Sequence, residues 1–287
     1  MAKSSDPTPA RSHALSIPEI FELILLHLDI RTLLTKATRV CRAWSHFIND
    51  SRPLQWALFF RPLDNPLNKA KIQNPLLAEA FPSVFRQSSS NRDGTPNHKH
   101  NGNSNRNSIP ELTFTTFDMV RRPRKLNAYI RPEASWRRML VQQPPVYTLA
   151  LLRSSVGHGG QCLYHYTALD DQKELVDGLR MDIILEALVF SEMWDQYEYS
   201  DTEMIWGLEG LSKRVRGDLE LFGVKNLDLV FYTYYGVTGM GRGGYEPSSE
   251  RDVVKNVKDE YIRLGIEPKY SEKAFIKTRK SWGSLWD

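Results

Sequence analysis

The first predicted helix of the chain, over residues 18–28, is apolar on nearly all of its circumference. Its apolar side chains are Ile20, Phe21, Leu23, Ile24, Leu25, Leu26 and Leu28. Such a helix must be buried on nearly all sides, yet the helical segment to which it belongs, residues 17–59, has only about 43 residues. A chain of that length rarely sustains its own core. Some of the apolar surface must therefore be covered by a second protein or by the remainder of this chain.

Capping signals divide this segment into closely spaced helices. Pro18 fits the first turn of a helix, where its missing N–H costs nothing, and Asp29 can cap a second short helix that bears Leu33 and Leu34. A third helix follows, and Pro53 begins a last helical turn. The apolar residues of these two parts are Val40, Trp44, Phe47, Ile48, Leu54, Trp56, Ala57, Leu58 and Phe59.

The order and spacing of these residues resemble the F-box motif. The matching parts are the opening Ile17-Pro18, where Leu-Pro is usual, the Ile/Leu-rich helix, the pair Leu33-Leu34, Val40-Cys41-Arg42-Ala43-Trp44, Phe47-Ile48 and the closing residues 54–59. Ile in place of Leu at position 17 conserves the side-chain volume. A weaker likeness to F-box proteins of filamentous fungi touches most of the chain, at residues 59–62, 74–77, 81–82, 131–140 and 178–181.

The resemblance implies a docking role. F-box proteins bind Skp1 and so join a cullin–RING ubiquitin ligase as substrate receptors. By this likeness, the residues that face Skp1 are Pro18, Ile20, Leu23, Ile24, Leu28, Leu33, Leu34, Val40, Cys41 and Trp44. The alternative is that they form an ordinary core, packed against the C-terminal part of the chain. Cys41 is expected to be a small buried apolar residue and not a reactive thiol.

Composition divides the chain into further parts. We predict a disordered tail over residues 1–14, the F-box over residues 15–60 and a Pro-rich connecting segment over residues 61–86. Residues 87–108 are mainly Ser, Asn, Gly, His and basic residues, with no large apolar side chain. Such a segment cannot offset its ordering entropy and is predicted to be a disordered insertion. Residues 109–287 form the predicted substrate-recognition region, which is expected to be a mixed α+β fold. With the helical F-box before it, the predicted fold class of the whole chain is α+β.

Patterning beyond the F-box predicts both helices and strands. Loose alternation at residues 112–119 and at 146–152 indicates strands, and the aromatic and β-branched run at 227–237 is the clearest strand signal. Helices are predicted over three stretches with helical spacing or a long apolar run: residues 132–140, 179–193 and 252–264. No internal repeat is present, which argues against propeller and leucine-rich arrays.

Charge is unevenly spread over the C-terminal region. One stretch is basic and contains Arg121, Arg122, Arg124, Lys125, Arg131, Arg137 and Arg138. Residues 181–212 contain no Lys or Arg and carry several acids and aromatic residues. One hypothesis is that the two stretches face each other or form ordinary solvated surface. The second hypothesis is that the acidic stretch recognises a basic partner, with its aromatic residues as anchors. The candidate substrate-binding residues of the second hypothesis are Trp194, Asp195, Tyr197, Glu198 and Asp201.

Weaker patterns favour ordinary structure over chemistry. The glycines at 236–244 follow a strand but lack the spacing of a phosphate-binding loop, so a surface loop is the favoured interpretation. Residues 157–162 superficially resemble an oxyanion-hole glycine run, but no base is identifiable for Cys162, and a tight turn is favoured. His98 and His100 have no further ligands nearby and make a poor metal site. The sequence therefore predicts no catalytic residue, no metal and no cofactor.

These observations favour a non-catalytic substrate receptor that acts by proximity. The alternatives are a Skp1-binding scaffold outside the ligase, an enzyme with an unrecognised site, and a nucleic-acid binder acting through residues 121–138. The net charge of +4 argues against nucleic acid as the main partner. Two cysteines, no signal peptide and no long apolar run predict a protein of the cytoplasm, the nucleus or both, without a membrane partner.

Overall fold

The computed structural model divides the chain after residue 70 into two compact units. It describes residues 16–63, 70–85, 112–156, 162–169, 175–190, 200–211, 213–221, 224, 226–236, 247–270 and 280–283. Unit 1 lies within residues 1–70 and unit 2 within residues 71–287. Unit 1 contains helices, and unit 2 contains both helices and strands, so the fold class α+β is confirmed.

Unit 1 is built from short consecutive helices. They are α1 (Pro18–Leu26), α2 (Ile30–Thr35), a 3-10 turn (Ala37–Arg39), α3 (Arg42–Asp50) and α4 (Arg52–Ala57). The predicted capping of α2 is confirmed, because the Asp29 carboxylate accepts a hydrogen bond from Thr32 N at 2.9 Å. Ser51 Oγ accepts from Leu54 N at 3.2 Å at the start of α4, and its hydroxyl donates to the Glu22 carboxylate of α1. The caps thus also hold α1 against α4.

The core of unit 1 is small and contains one side of each helix. Its buried residues are Phe21, Leu25, Leu33, Ala37, Ile48, Leu54 and Leu58. The Phe21 ring lies 4.7 Å from the Trp44 ring and 4.9 Å from the Phe47 ring, centroid to centroid. Helix α1 contributes only Phe21 and Leu25 to this core, so most of its apolar side chains lie elsewhere.

Unit 2 has a mixed five-stranded sheet with strand order β5-β6-β3-β4-β7. The strands are β3 (Leu149–Val156), β4 (Cys162–Ala168), β5 (Ser200–Trp206), β6 (Leu229–Gly236) and β7 (Lys280–Gly283). Strands β3 and β6 are parallel, and each other neighbouring pair is antiparallel. The short strands β1 (Ile72–Gln73) and β2 (Gln142–Gln143) form a separate antiparallel pair.

Unit 2 contains seven helices in its described part, and the last three along the chain are the longest. In chain order the helices are α5 (Pro75–Ala80), α6 (Pro82–Phe85), α7 (Asp118–Arg121), α8 (Leu126–Ile130), α9 (Met181–Val189), α10 (Lys213–Leu221) and α11 (Pro247–Arg263). Between them lie the 3-10 turns Phe114–Thr116, Pro123–Lys125, Ser135–Arg138 and Leu208–Gly210.

The central strands of the sheet are buried on both faces. On one face, Ala150, Leu152 and Val230 pack in a cluster that also contains Val215 and Leu219 of α10. Leu149 and Leu151 alternate with them on β3 and are buried as well. Burial on both faces is typical of a parallel strand pair such as β3 and β6.

Most predicted elements of the C-terminal region are confirmed, and two are wrong. The predictions at 146–152, 179–193, 227–237 and 252–264 correspond to β3, α9, β6 and α11, although residues 191–193 and 237 lie outside the described part. Residues 75–80, within the predicted connecting segment, form α5.

The predicted strand at residues 112–119 is instead a 3-10 turn followed by α7. Its apolar residues Leu112, Phe114, Phe117 and Met119 are all buried. The spacing of three between Phe114 and Phe117 puts both on one side of a 3-10 turn, whereas a strand would put them on opposite faces.

The predicted helix at residues 132–140 is limited to the 3-10 turn Ser135–Arg138. The chain becomes extended at Met139 because it pairs with the segment before α9. Leu140 forms a β-bridge with Arg180, and Val141 N donates to Leu179 O at 3.1 Å. A long-range pairing has thus replaced the last turns of the expected helix.

The boundary between the units lies within the segment predicted to be a connection. Residues 71–85 belong to unit 2, where β1 pairs with β2. Asn74 is fully buried, caps α5 through its side-chain oxygen and donates from Nδ2 to Leu140 O at 3.2 Å. The predicted tail at 1–14 and the whole of the predicted insertion at 87–108 lie outside the described residues.

Candidate partner-docking surface

One half of α1 presents apolar side chains that the core does not use. Leu23 is 58% exposed and Ile24 43%, and Ile17, Ile20 and Leu26 are each exposed by more than a third. At about 100° per residue, these five residues occupy one half of the helix circumference, and Phe21 and Leu25 lie on the other half. We call these five residues the α1 apolar face.

The structure separates the predicted Skp1-facing residues into three groups. Pro18, Ile20, Leu23, Ile24, Val40 and Cys41 are exposed, Leu28, Leu34 and Trp44 are partly buried, and Leu33 is buried. Leu33 is 1% exposed and belongs to the core of unit 1. It therefore packs in the core beneath the exposed residues and does not itself reach the surface.

Two further residues of this region differ from the expectation. The sequence predicts a buried Cys41, but its thiol is exposed, at the residue just before α3. Trp44 packs its ring against Phe21 and is partly buried with the core. Replacing Trp44 would therefore disturb the core of unit 1 as well as the surface.

Sequence reasoning did not include Ile17 and Leu26 among the docking residues. Both are exposed and both lie on the α1 apolar face. The available sequence signal is their helical spacing, because at about 100° per residue Ile17 and Leu26 fall in the same half of the helix as Leu23 and Ile24.

The segment that follows α1 in the sequence has a basic surface. Residues 30–49 contain no Asp or Glu, and Arg31, Lys36, Arg39 and Arg42 are all exposed. Val40 and Cys41 lie among these cations. Asp29 precedes them, and the hydrogen bonds from Thr32 lower the pKa of its carboxyl group. An apolar surface next to exposed cations fits a partner with an apolar groove and acidic neighbours.

In unit 2, the main electrostatic feature is a buried ion pair. Arg137 Nη2 lies 2.5 Å from Glu186 Oε1, and both side chains are nearly inaccessible. Arg137 Nη1 also donates to the Tyr261 hydroxyl at 2.8 Å. The other carboxylate oxygen, Glu186 Oε2, accepts from the backbone N–H of Lys269 at 2.8 Å and of Tyr270 at 3.3 Å.

The pKa shifts agree with this arrangement. Burial by itself lowers the pKa of Arg137, but the Tyr261 oxygen and the Glu186 carboxylate outweigh it, and the pKa is raised. Burial raises the pKa of Tyr261. Burial also raises the pKa of Asp182, against the opposing effect of its hydrogen bond from Ile183 N. The hydrogen bonds of Arg137 and Glu186 join the 3-10 turn Ser135–Arg138, α9 and α11.

This ion pair links the basic and the acidic stretches of the sequence. The expectation that the two face each other holds for Arg137 and Glu186. Trp206 of the acidic stretch also has a structural role, since its Nε1 donates to Val84 O at 2.9 Å and its ring packs near Phe85. The candidate substrate residues Trp194, Asp195, Tyr197 and Glu198 lie outside the described residues, and Asp201 lies in β5 without a described side chain.

The weaker candidate sites are only partly described. Residues 157–161 and 237–246 lie outside the described part, as do His98 and His100. Val156 pairs with Cys162 where β3 ends and β4 begins. Within the described residues, no cluster of three or more His, Cys, Asp or Glu side chains could hold a metal ion. None of the described helices combines the length and the apolar character needed to cross a bilayer.

Comparison with known proteins adds no relative. A scan of the chain against protein-family models finds no match, and searches of curated proteins and of solved structures find no significant match.

Proposed function

We propose that the protein is an F-box substrate receptor of a Skp1–cullin–F-box ubiquitin ligase. Unit 1 docks on a Skp1-type adaptor and through it on a cullin, and unit 2 binds the protein to be ubiquitinated. The protein itself performs no chemistry, because it only raises the concentration of a substrate near the activated ubiquitin. This role requires the cytoplasm or the nucleus, where the ligase acts.

The observation that carries the proposal is the α1 apolar face. Its residues begin with Ile17 of the Ile-Pro opening of the F-box-like motif and are exposed, although the same helix buries Phe21 and Leu25. Leaving several large apolar side chains in water gives up about 25 cal/mol for each square ångström that could be buried. A contiguous apolar surface of this kind marks an interaction site.

The separation of core residues from exposed apolar residues in unit 1 supports the same proposal. The core residues Phe21, Leu25 and Leu33 hold the helices together, and the surface residues Leu23 and Ile24 are not needed for that core. The exposed cations near Val40 add long-range attraction for an acidic partner, which raises the association rate at low salt. An apolar centre with charged surroundings is the usual anatomy of an interface.

The experiment compares the full chain with a Leu23→Ala/Ile24→Ala variant in binding to a purified Skp1-type adaptor. We expect the dissociation constant to rise at least about tenfold, since two large apolar anchors are truncated. Asn49→Ala, an exposed residue of α3, is the matched control and should bind as the wild type does. Trp44 is left intact because it also packs against Phe21.

Equal binding of wild type and double variant would show that α1 does not dock the adaptor. A Skp1-binding scaffold outside the ligase is the second candidate function. It predicts that the purified protein retains the adaptor but no cullin, whereas a receptor retains both. Addition of a cullin to the reconstituted complex therefore distinguishes the two.

A further inference from the structure

Unit 2 has an exposed basic surface that the docking role of unit 1 does not use. It consists of Arg121, at the end of α7, together with Arg122, Arg124, Lys125 and Arg131, which all lie on or beside the 3-10 turn Pro123–Lys125 and α8. All five side chains are exposed. The two helices and the turn pack against one another, so that the five cations belong to one compact region. We call them the basic surface.

Carboxylates near this surface neutralise it only in part. Asp118 accepts the Tyr129 hydroxyl at 2.7 Å and also pairs with Arg122 at 3.2 Å and Lys125 at 3.7 Å. Burial, together with the hydrogen bond to Asp118, raises the pKa of Tyr129. In the described part of the chain, no carboxylate lies within 4.0 Å of Arg121, Arg124 or Arg131.

The other acids of the neighbourhood do not remove this excess. Glu79 is close enough to Tyr129 to act on its pKa, and Glu133 is exposed after Arg131. Glu260 pairs with Arg263 of its own helix at 2.5 Å. Arg263 also donates to Asn127 Oδ1 of α8 at 2.8 Å, which brings another cation beside the basic surface.

The same basic stretch contains a cation with a purely structural function. Arg137 is buried and is neutralised by Glu186. The stretch therefore divides into one internal cation that holds the fold and several external ones that do not. Exposed Arg side chains can bind carboxylates through two parallel hydrogen bonds, and Arg121, Arg124 and Arg131 have no such partner in the described part of the chain.

The neighbouring groups favour a protein partner over nucleic acid. Bases stack on exposed aromatic rings, but Tyr129 is engaged with Asp118 and Trp136 is largely buried. Ile262, next to Arg263, is 76% exposed. Exposed Arg side chains, with an exposed aliphatic residue on the helix that packs against α8, fit a segment with both acidic and apolar side chains.

We propose that the basic surface binds an acidic segment of the protein that the receptor delivers. The delivery depends on the proposed function of unit 1, but the binding does not. The proposal gives unit 2 a substrate class: proteins with an accessible segment rich in Asp and Glu.

The test uses the full chain and a short fluorescent peptide rich in Asp and Glu with interspersed Leu. We expect Arg121→Gln/Arg124→Gln/Arg131→Gln to weaken binding about tenfold, because each lost exposed ion pair costs a few-fold in affinity. The control is Lys71→Gln/Lys213→Gln/Lys255→Gln, which removes three exposed cations elsewhere in unit 2 and should leave the affinity unchanged. Binding should also weaken as salt screens the charges.

Three results would overturn the proposal. The first is equal loss of affinity in the two triple variants, which indicates only net charge, and the second is no loss in either. The third is tighter binding of a single-stranded oligonucleotide, or of vesicles containing phosphatidylserine, than of the peptide. Binding of the Skp1-type adaptor is measured in parallel. If the protein binds the peptide but not the adaptor, only the proposed function is contradicted. If it binds the adaptor but not the peptide, only the proposal for the basic surface is contradicted.

Discussion

Removing one partner of the Arg137–Glu186 pair should strongly destabilise unit 2. In Arg137→Met, the Glu186 carboxylate stays among buried residues and loses its closest charged donor. It keeps the backbone donors of Lys269 and Tyr270. Breaking a buried ion pair in this way costs about 3–5 kcal/mol, because one charge remains buried without compensation.

The same free energy can be expressed as a change in melting temperature. For a unit of this size, 1 kcal/mol corresponds to about 2–4 °C, so the melting temperature of Arg137→Met should fall by about 6–20 °C. Arg124→Met makes the same substitution at an exposed position and should shift the free energy of unfolding by less than about 0.5 kcal/mol.

A second substitution tests the reason for the loss. Adding Glu186→Gln to Arg137→Met removes the unpaired charge, while the amide oxygen can still accept from the backbone N–H groups of residues 269 and 270. The double variant should regain about 1 kcal/mol or more. Urea denaturation followed by circular dichroism measures the free energy of unfolding, and hydrogen–deuterium exchange on peptides of α9 assigns the change to unit 2.

The reasoning would be refuted by either of two results. One is a loss of less than about 1 kcal/mol in Arg137→Met, which would mean that water reaches the carboxylate or that the site relaxes. The other is additivity, in which Glu186→Gln destabilises Arg137→Met as much as it destabilises the wild type.

Three further predictions concern single residues. Leu25→Ala should cost unit 1 about 2–5 kcal/mol by opening a cavity, whereas Leu23→Ala should cost less than about 1 kcal/mol in the same urea titration; equal losses would place Leu23 in the core. Asn74→Ala should cost about 2–4 kcal/mol, since Leu76 N, Leu77 N and Leu140 O lose their partner; exchange of the α5 amides should rise, and unchanged protection would contradict the cap. The pKa of Asp182 is raised, so the folded state binds the proton more tightly than the unfolded state does. The free energy of unfolding therefore falls as the pH rises above the unfolded pKa near 3.8. Asp182→Asn should gain stability relative to the wild type between pH 4 and pH 7, and a pH-independent difference would refute the assignment.

Local patterns predicted the helices of unit 1 and, in unit 2, α9, α11, β3 and β6, but not α7, α8, α10, β5 or β7. Helix spacing located α9 and α11, and the β-branched and aromatic run located β6. The misassigned stretch at 112–119 shows the limit of this reasoning, because Phe114 and Phe117 are buried at a spacing that suits a turn. At residues 132–140 the missing information was non-local, since the pairing of Leu140 with Arg180 decides where the turn ends.

The candidate docking surface was predictable in kind but not in detail. The excess of apolar residues in α1 is a property of the sequence, and it requires cover. Which half of α1 forms the core depends on where α3 and α4 lie, and only the structure shows Phe21 and Leu25 inside and Leu23 outside.

Arg137 and Glu186 show the same division most clearly. From the sequence, each belongs to a stretch of like charge, and composition alone assigns both stretches to surface or to mutual contact. In the structure these two residues, 49 positions apart, form a buried pair, whereas Arg121 and Arg124 of the same basic stretch remain in water. Periodicity and composition are local properties and determine what each segment can become. Burial depends on long-range packing, and therefore only the tertiary structure decided which charges hold the fold and which remain for a partner.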